Sequence, residues 1–229
     1  MEIHDWKPLF AEAIATFALV FIGAGAVTAN YLSNGALGLL GIAFAHGLAL
    51  MSMIYATGHI SGAHINPAVT IALFAVKKIE LKNAVGYIIA QLFGAAVAGL
   101  LLLALFPAAV QGIHLGATSL ATGIGPLKGT LIEAVLTFFL VFTIFGAAVD
   151  PKGKVPAFGI AIGMVLVFDI LVGGMFTGAA MNPARSFGPG LASGFWENHL
   201  VYWAGPIIGA LAAAIAYKFG IGLEEKNKK

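Results

Sequence analysis

The sequence predicts an all-α membrane protein of six transmembrane helices and two re-entrant half-helices, arranged as an inverted repeat of three spans plus three. Three observations predict it: an apolar composition, six apolar stretches of bilayer-spanning length, and a second half that repeats the first. Of 229 residues, 60% are apolar and 10% charged, against about 45–50% and about 25% in soluble domains. A soluble fold of this composition would expose apolar patches larger than water tolerates. The formal net charge of +2 provides no basic face for nucleic acid. Cysteine is absent, which excludes a disulfide framework, a thiolate metal site and a cysteine nucleophile.

Crossing the hydrocarbon core takes about 20 residues of helix. Six stretches have that length: Leu9–Tyr31, Gly38–Thr57, Ala84–Phe106, Leu127–Val149, Pro156–Gly174 and Leu200–Phe219. The first exceeds the about 7–15 apolar residues of a cleavable signal peptide and reads as a span. Polar breaks such as Ser33-Asn34-Gly35, Lys77-Lys78 and Asp150–Lys154 separate the spans. Two further apolar stretches, His59–Val76 and Phe176–Ala192, are too short to cross and read as re-entrant. An even number of spans puts both termini on one side, with the second-to-third and fourth-to-fifth connections. That side carries Lys7, Lys77, Lys78, Lys82, Lys152, Lys154, Lys218, Lys226, Lys228 and Lys229, ten of the twelve basic residues. The positive-inside rule therefore places both termini in the cytoplasm; Lys128 and Arg185 are the exceptions. The short termini and loops read as those of a prokaryotic plasma-membrane protein.

The repeat is explicit. Ala11-Glu12-Ala13 through Phe21 aligns with Ile132-Glu133-Ala134 through Phe142, and Gly41-Ile42-Ala43 with Gly159-Ile160-Ala161. Ser61 through Thr70 aligns with Thr177 through Ser186, each containing Asn-Pro-Ala. Shared leucine and alanine would follow from membrane composition alone, but a matched Glu, Thr and Asn-Pro-Ala would not. Three spans per half force the halves into opposite orientation. The chain is thus read as one membrane domain over residues 1–229, with repeats at about 9–106 and about 127–219 and a tail at 220–229.

Asn is a favoured helix N-cap, and Pro a favoured first helical residue. Asn66-Pro67-Ala68 and Asn182-Pro183-Ala184 therefore each start a short helix, about Pro67–Val76 and about Pro183–Ala192. Entering from opposite faces, the two would meet by their N-termini at the midplane, where their dipoles place partial positive charge. Each Asn carbonyl caps its helix, and each amide can donate to a passing oxygen. A water held by two such donors cannot relay a proton, and the positive ends repel cations.

At these motifs the chain resembles the aquaporin (major intrinsic protein) family over nearly its whole length. Gly58 through Thr70 is similar to the family's first signature and Asn182 through Pro189 to its second. The resemblance implies the family fold, a homotetramer in the lipid bilayer with one pore per subunit, and passage of water and small neutral solutes. It also implies that the in-span carboxylates Glu12 and Glu133, expensive without partners, support the two re-entrant segments rather than act as acid–base catalysts. His64, beside the first Asn-Pro-Ala, is read as lining the cytoplasmic half of the pore. Its spacing of five from His59 suits a metal poorly. No metal, cofactor or enzymatic activity is expected.

The family's outer constriction uses four positions, which fall here on His46, Ile170, Ala179 and Arg185. Arg185 would present a fixed array of donors that binds oxygen and opposes cations. His46 stands where orthodox water channels usually carry Phe, and it could alternatively be a helix-packing histidine. Together the four resemble the plant tonoplast intrinsic protein group, so ammonia, hydrogen peroxide or urea is expected beside water. Some tonoplast members add a loop histidine to this filter. Here the matching position is Thr118, with His114 four residues upstream, which weakens the ammonia expectation. Glycerol facilitators typically have Asp after the arginine, where this chain has Ser186, and Tyr202-Trp203 also follows the water-channel pattern; glycerol is disfavoured.

Asp169 fits none of this. It precedes Ile170, where the tonoplast group has Asn, and is expected against another helix or a subunit partner, paired or protonated at that interface. The second function class is an ion-coupled secondary transporter, which also uses inverted repeats and broken helices but needs an ion site, for which Asp169 is the sole candidate. A membrane-embedded hydrolase would need a nucleophile and base, and no such pair stands out.

Overall fold

The computed structural model describes residues 6–153 and 155–223. Six helices in it are long and apolar enough to cross a membrane: α1 (Lys7–Leu32), α2 (Gly38–Ser61), α4 (Leu81–Leu105), α5 (Pro126–Ile144), α6 (Phe158–Thr177) and α8 (Val201–Ala216). The half-helices are α3 (Pro67–Ala75) and α7 (Pro183–Ser193). Helix α5 runs on as a π-helical turn over Phe145–Val149, and α8 does so over Tyr217–Gly222. These turns are tied together where the Tyr217 hydroxyl donates to Asp150 Oδ2 at 2.9 Å. Lys154, Lys226, Lys228 and Lys229, which support the orientation reading, lie outside the described residues.

All six expected spans and both half-helices are present, but α2 runs four residues past Thr57. It continues through Gly58–Ser61 until Gly62, with φ of 86°, turns the chain into the left-handed region that glycine alone enters without strain. Gly178, with φ of 81°, ends α6 in the same way. The re-entrant segments therefore start at Gly62 and Gly178, later than His59 and Phe176.

Packing repeats between the halves. α1 packs on α2 and α4 as α5 packs on α6 and α8, and α2 meets α6 between the halves. The half-helices cross over, α7 docking on α4 and α3 on α8. Small residues permit these approaches. A side chain on Gly94 would run into the Ala13 carbonyl, and one on Gly209 into the Ala134 carbonyl. Gly47 and Gly163 face each other, and a Cβ on either would stand 2.6–2.7 Å from the other's carbonyl oxygen. They are 116 residues apart, as are Asn66 and Asn182. That register corrects the pairing of Gly41 with Gly159 by two residues. Gly41 packs on Leu37 of its own helix end and Gly159 on the Tyr55 ring, so the three-residue match reflects membrane composition and not equivalent positions.

Candidate functional site

After each glycine cap the chain runs through four non-helical residues, most of them buried. Ala63 and Ile65 in the first half, and Ala179 and Met181 in the second, all have φ between 46° and 58°. For a β-branched residue such as Ile65 this is uncommon backbone, worth about 1–3 kcal/mol of strain. What holds it are the carboxylates. Glu12 accepts from the Ser61 hydroxyl (2.6 Å), the His64 N–H (2.8 Å), the Ile65 N–H (2.7 Å) and the Gln91 amide (2.8 Å). Glu133 accepts from the Thr177 hydroxyl (2.6 Å), the Ala180 N–H (3.0 Å) and the Met181 N–H (2.7 Å). Both glutamates are fully buried. From behind, Tyr87 donates to Ser61 O at 2.9 Å and Tyr202 to Thr177 O at 2.8 Å. The strained segments thereby aim the Ile65 and Met181 carbonyls at the opposite half.

Those carbonyls are taken reciprocally. Asn66 Nδ2 donates to Met181 O at 2.8 Å, and Asn182 Nδ2 donates to Ile65 O at 2.9 Å. Each Asn Oδ1 caps its own helix, Asn66 from Ala68 N at 2.8 Å and Asn182 from Ala184 N at 3.0 Å. An amide carries two donors, so each Asn keeps one N–H after the cross-link. Pro67, Ala68, Pro183 and Ala184 are buried in the two helix starts behind them.

His64 donates through Nδ1 to Thr70 Oγ1 at 3.0 Å, because the Thr70 proton goes to Asn66 O at 3.1 Å. Its Nε2 is left as an acceptor. His46 is arranged oppositely. Its Nδ1 donates to Ile42 O at 2.9 Å, and its Nε2 accepts from Arg185 Nε at 3.3 Å. Arg185 Nη1 donates to Gly116 O at 2.7 Å. Of five guanidinium donors, three remain. A Cβ at Gly23 of α1 would overlap the His46 ring at 2.4 Å, so that glycine makes the space the imidazole fills.

Three cavities lie in series along these residues. One of about 550 Å³ includes His46, Ile170, Arg185, Thr118 and His114 in its wall. The next, about 20 Å³, is bounded by His46, Arg185, Asn66, Asn182, His64 and Leu50 among others. The third, about 230 Å³, shares His64, Leu50 and Val69 with it. Shared walls make one path with two vestibules and a waist at the crossed asparagines. The waist is about the size that one water needs.

Of the four expected constriction residues, His46, Ile170 and Arg185 converge at one end of this waist. Ala179 is set back: its Cβ lies 3.3 Å from where a Gly173 Cβ would be, and its neighbours Gly178 and Ala180 line the path. Sequence reasoning missed the Gly116 carbonyl that anchors Arg185. It belongs to a connection of short helical turns, Pro107–Ala109, Val110–Ile113 and His114–Gly116, and a main-chain oxygen leaves no trace in residue type. Thr118 reaches the outer vestibule and donates to Ser186 Oγ at 2.9 Å. His114 also lines that vestibule, stacked on Phe195 at 4.0 Å. Asp169 is 0% exposed in the single chain, so no subunit partner covers it. Neither of its oxygens has a hydrogen-bond partner, and it lines none of the three cavities. Among the described residues no group of three or more His, Cys, Asp or Glu could hold a metal.

A family model described as "Major intrinsic protein" matches residues 1–217. The chain is 44% identical over 217 residues to Aquaporin TIP4-4 of Zea mays, covering 92% of this chain and 85% of that one. It is 41% identical over 228 residues to Probable aquaporin TIP3-2 of Arabidopsis thaliana, covering 94% and 84%. The solved aquaglyceroporin of Plasmodium falciparum superposes with a TM-score of 0.82 at 27% identity, covering 94% of this chain and 96% of the other. The two sequence relatives are plant TIP-type aquaporins, so the expectation of a prokaryotic plasma membrane finds no support in them.

Proposed function

The chain belongs to the major intrinsic protein (aquaporin) family of membrane channels, and from that premise we propose that it is a passive pore for water and ammonia-sized neutral solutes that excludes protons and ions. The observation that carries this reading is the waist of about 20 Å³ bounded by both Asn66 and Asn182. A water there accepts one N–H from each amide, so both lone pairs are engaged. Its own protons then point outward along the path in opposite directions, and a proton arriving from either side finds no acceptor. The N-termini of α3 and α7 add partial positive charge at the same point.

The outer constriction selects by an uneven wall. Arg185 supplies the polar side, with three N–H donors for a passing oxygen or nitrogen and a fixed positive charge against cations. His46 serves as a positioning residue. With Nδ1 and Nε2 both occupied, its ring offers the path only C–H edges, and Ile170 is aliphatic. A small solute with one polar face suits this better than a polyol, whose several hydroxyls would go unpaired. The acceptor at His64 Nε2 receives the solute beyond the waist. Both termini are read on the cytoplasmic side, and the chain as one domain working in a homotetramer. The transporter alternative loses its ion site, since Asp169 is off the path.

Stopped-flow flux across proteoliposomes tests the proposal, with water, ammonia, urea and glycerol compared in wild type and His46→Phe. Water flux is expected without any ion gradient, and glycerol flux far below it. The substitution removes the Nε partner of Arg185 and fills the wall, so ammonia and urea flux relative to water should fall by roughly tenfold. An unchanged ratio would remove His46 from the filter, and flux that required an ion gradient would overturn the channel reading.

A further inference from the structure

Asp169 is the ionisable group that the pore chemistry leaves unused. It sits on α6 immediately before the filter-wall residue Ile170, on the side turned toward α5. Four residues on, a side chain at Gly173 would run into Leu136 of α5, and the adjacent Phe168 meets Phe139 of α5 edge to face at 6.5 Å. The carboxyl is 0% exposed, and neither oxygen has a partner.

α6 packs mainly against α2, α5 and the turn Phe145–Val149 that continues α5, and no ionisable group on any of them hydrogen-bonds to Asp169. On α2, His46 is bonded to Ile42 O and Arg185, Tyr55 lies against Phe158 and Gly159 toward the other end of α6, and His59 is exposed. On α5, Lys128 is exposed in the first turn, and Glu133 is saturated by Thr177, Ala180 and Met181. Among the groups beyond, Arg185 is anchored on Gly116 O and His46, and Tyr202 donates to Thr177 O. Thus no cation and no donor pairs with the Asp169 carboxyl. An ionised carboxylate in such a place neutralises by taking up a proton.

We propose that Asp169 is a proton-binding site in the filter wall, a carboxylic acid that stays protonated at neutral pH and whose ionisation at alkaline pH weakens the barrier Arg185 raises against cations. Protonated, it leaves the positive potential of the guanidinium whole. Ionised, it sets a negative charge one residue from Ile170, in a medium of low dielectric where such a charge acts strongly on its surroundings. The second half of this proposal rests on the channel reading; the first does not.

Infrared spectroscopy of the reconstituted protein tests the protonation directly. At neutral pH the carbonyl band of a protonated carboxylic acid should appear in wild type, shift on carboxyl-13C labelling of aspartate, and vanish in Asp169→Asn. The label is selective because the chain has three aspartates, Asp5, Asp150 and Asp169. Potassium leak relative to water flux is then compared at neutral and strongly alkaline pH. Wild type should rise by roughly tenfold, and Asp169→Asn should stay at the neutral-pH value throughout. Absence of the acid band at neutral pH would overturn the proposal, as would matching leak profiles in the two proteins. Loss of water flux in wild type would instead count against the channel reading, with the infrared result still deciding the state of Asp169.

Discussion

The two re-entrant segments are built on the same main-chain plan and differ in the side chains hung on it. Both begin at a left-handed glycine, both pass through two strained non-glycine residues, and both are held by a buried glutamate and a tyrosine hydroxyl. Around Glu12, however, Gln91 adds a fourth donor, whereas the position four residues after Tyr202, matching Gln91 after Tyr87, is Pro206. Where the first half places His64 and Thr70, the second places Ala180 and Ser186. Where the second half places Arg185, the first has Val69. The symmetric part makes the waist, and the asymmetric part gives its two ends different side chains, His46 and Arg185 toward one vestibule and His64 toward the other. Duplication thus supplies the scaffold twice, while the polar side chains His46, His64 and Arg185 along the path each occur in one copy.

Replacing the glutamates should break the comparison most severely. In Glu133→Gln one carboxylate oxygen becomes an NH2 that faces a donor, leaving a buried N–H such as that of Met181 unpaired at about 1–3 kcal/mol. Strain at Ala179 and Met181 is then released. In Glu12→Gln the new NH2 stands where Oε2 accepted from both the Ile65 N–H and the Gln91 amide. A flip of Gln91, whose Oε1 is without a partner, gives that NH2 an acceptor and leaves only the Ile65 N–H unpaired. Denaturant unfolding in detergent should therefore show Glu133→Gln as the less stable variant, by roughly 1–3 kcal/mol, with Glu12→Gln retaining more water flux. Equal losses would mean that Gln91 does not buffer the first half.

The same contrast explains how much was legible beforehand. The spans and the Asn-Pro-Ala triplets announce themselves through apolar length and helix-start chemistry, while the supporting role of the glutamates and the mapping of Arg185 and His46 come from the family resemblance. The strain at Ala63, Ile65, Ala179 and Met181 does not announce itself, because alanine, isoleucine and methionine carry no signal for left-handed backbone. Nor does the reciprocal Asn–carbonyl cross-link, which depends on main-chain oxygens 115 and 117 residues away. Asp169 was conspicuous by type, but only its burial separates a subunit contact from an isolated acid.

A smaller break concerns how the half-helices dock. A Cβ on Gly188 of α7 would run into the Ala95 carbonyl of α4, whereas α3 meets α8 with Ala68 and Ala72 against Ala210, Ala213 and Ala214. Gly188→Ala should push α7 outward, three residues from Arg185, at about 1–3 kcal/mol for overpacking. It should also loosen discrimination against urea. Ala72→Gly on α3 should cost about 1 kcal/mol in helix propensity and leave solute ratios unchanged. Thermal unfolding paired with the solute series checks both, and a selectivity change from Ala72→Gly would show that the first half also governs the filter.

The mildest substitution bears on the part held symmetric. Tyr87→Phe removes the donor to Ser61 O, and Tyr202→Phe the donor to Thr177 O. Each leaves a buried carbonyl at the end of a spanning helix, with a net loss of about 1 kcal/mol. Neither hydroxyl lines the path, so conductance should be kept in both. If the halves share one scaffold, unfolding midpoints should fall equally in the two variants. A markedly larger fall for Tyr202→Phe would mean that the tyrosine compensates for the donor Pro206 cannot provide, and that the asymmetry reaches into the scaffold itself.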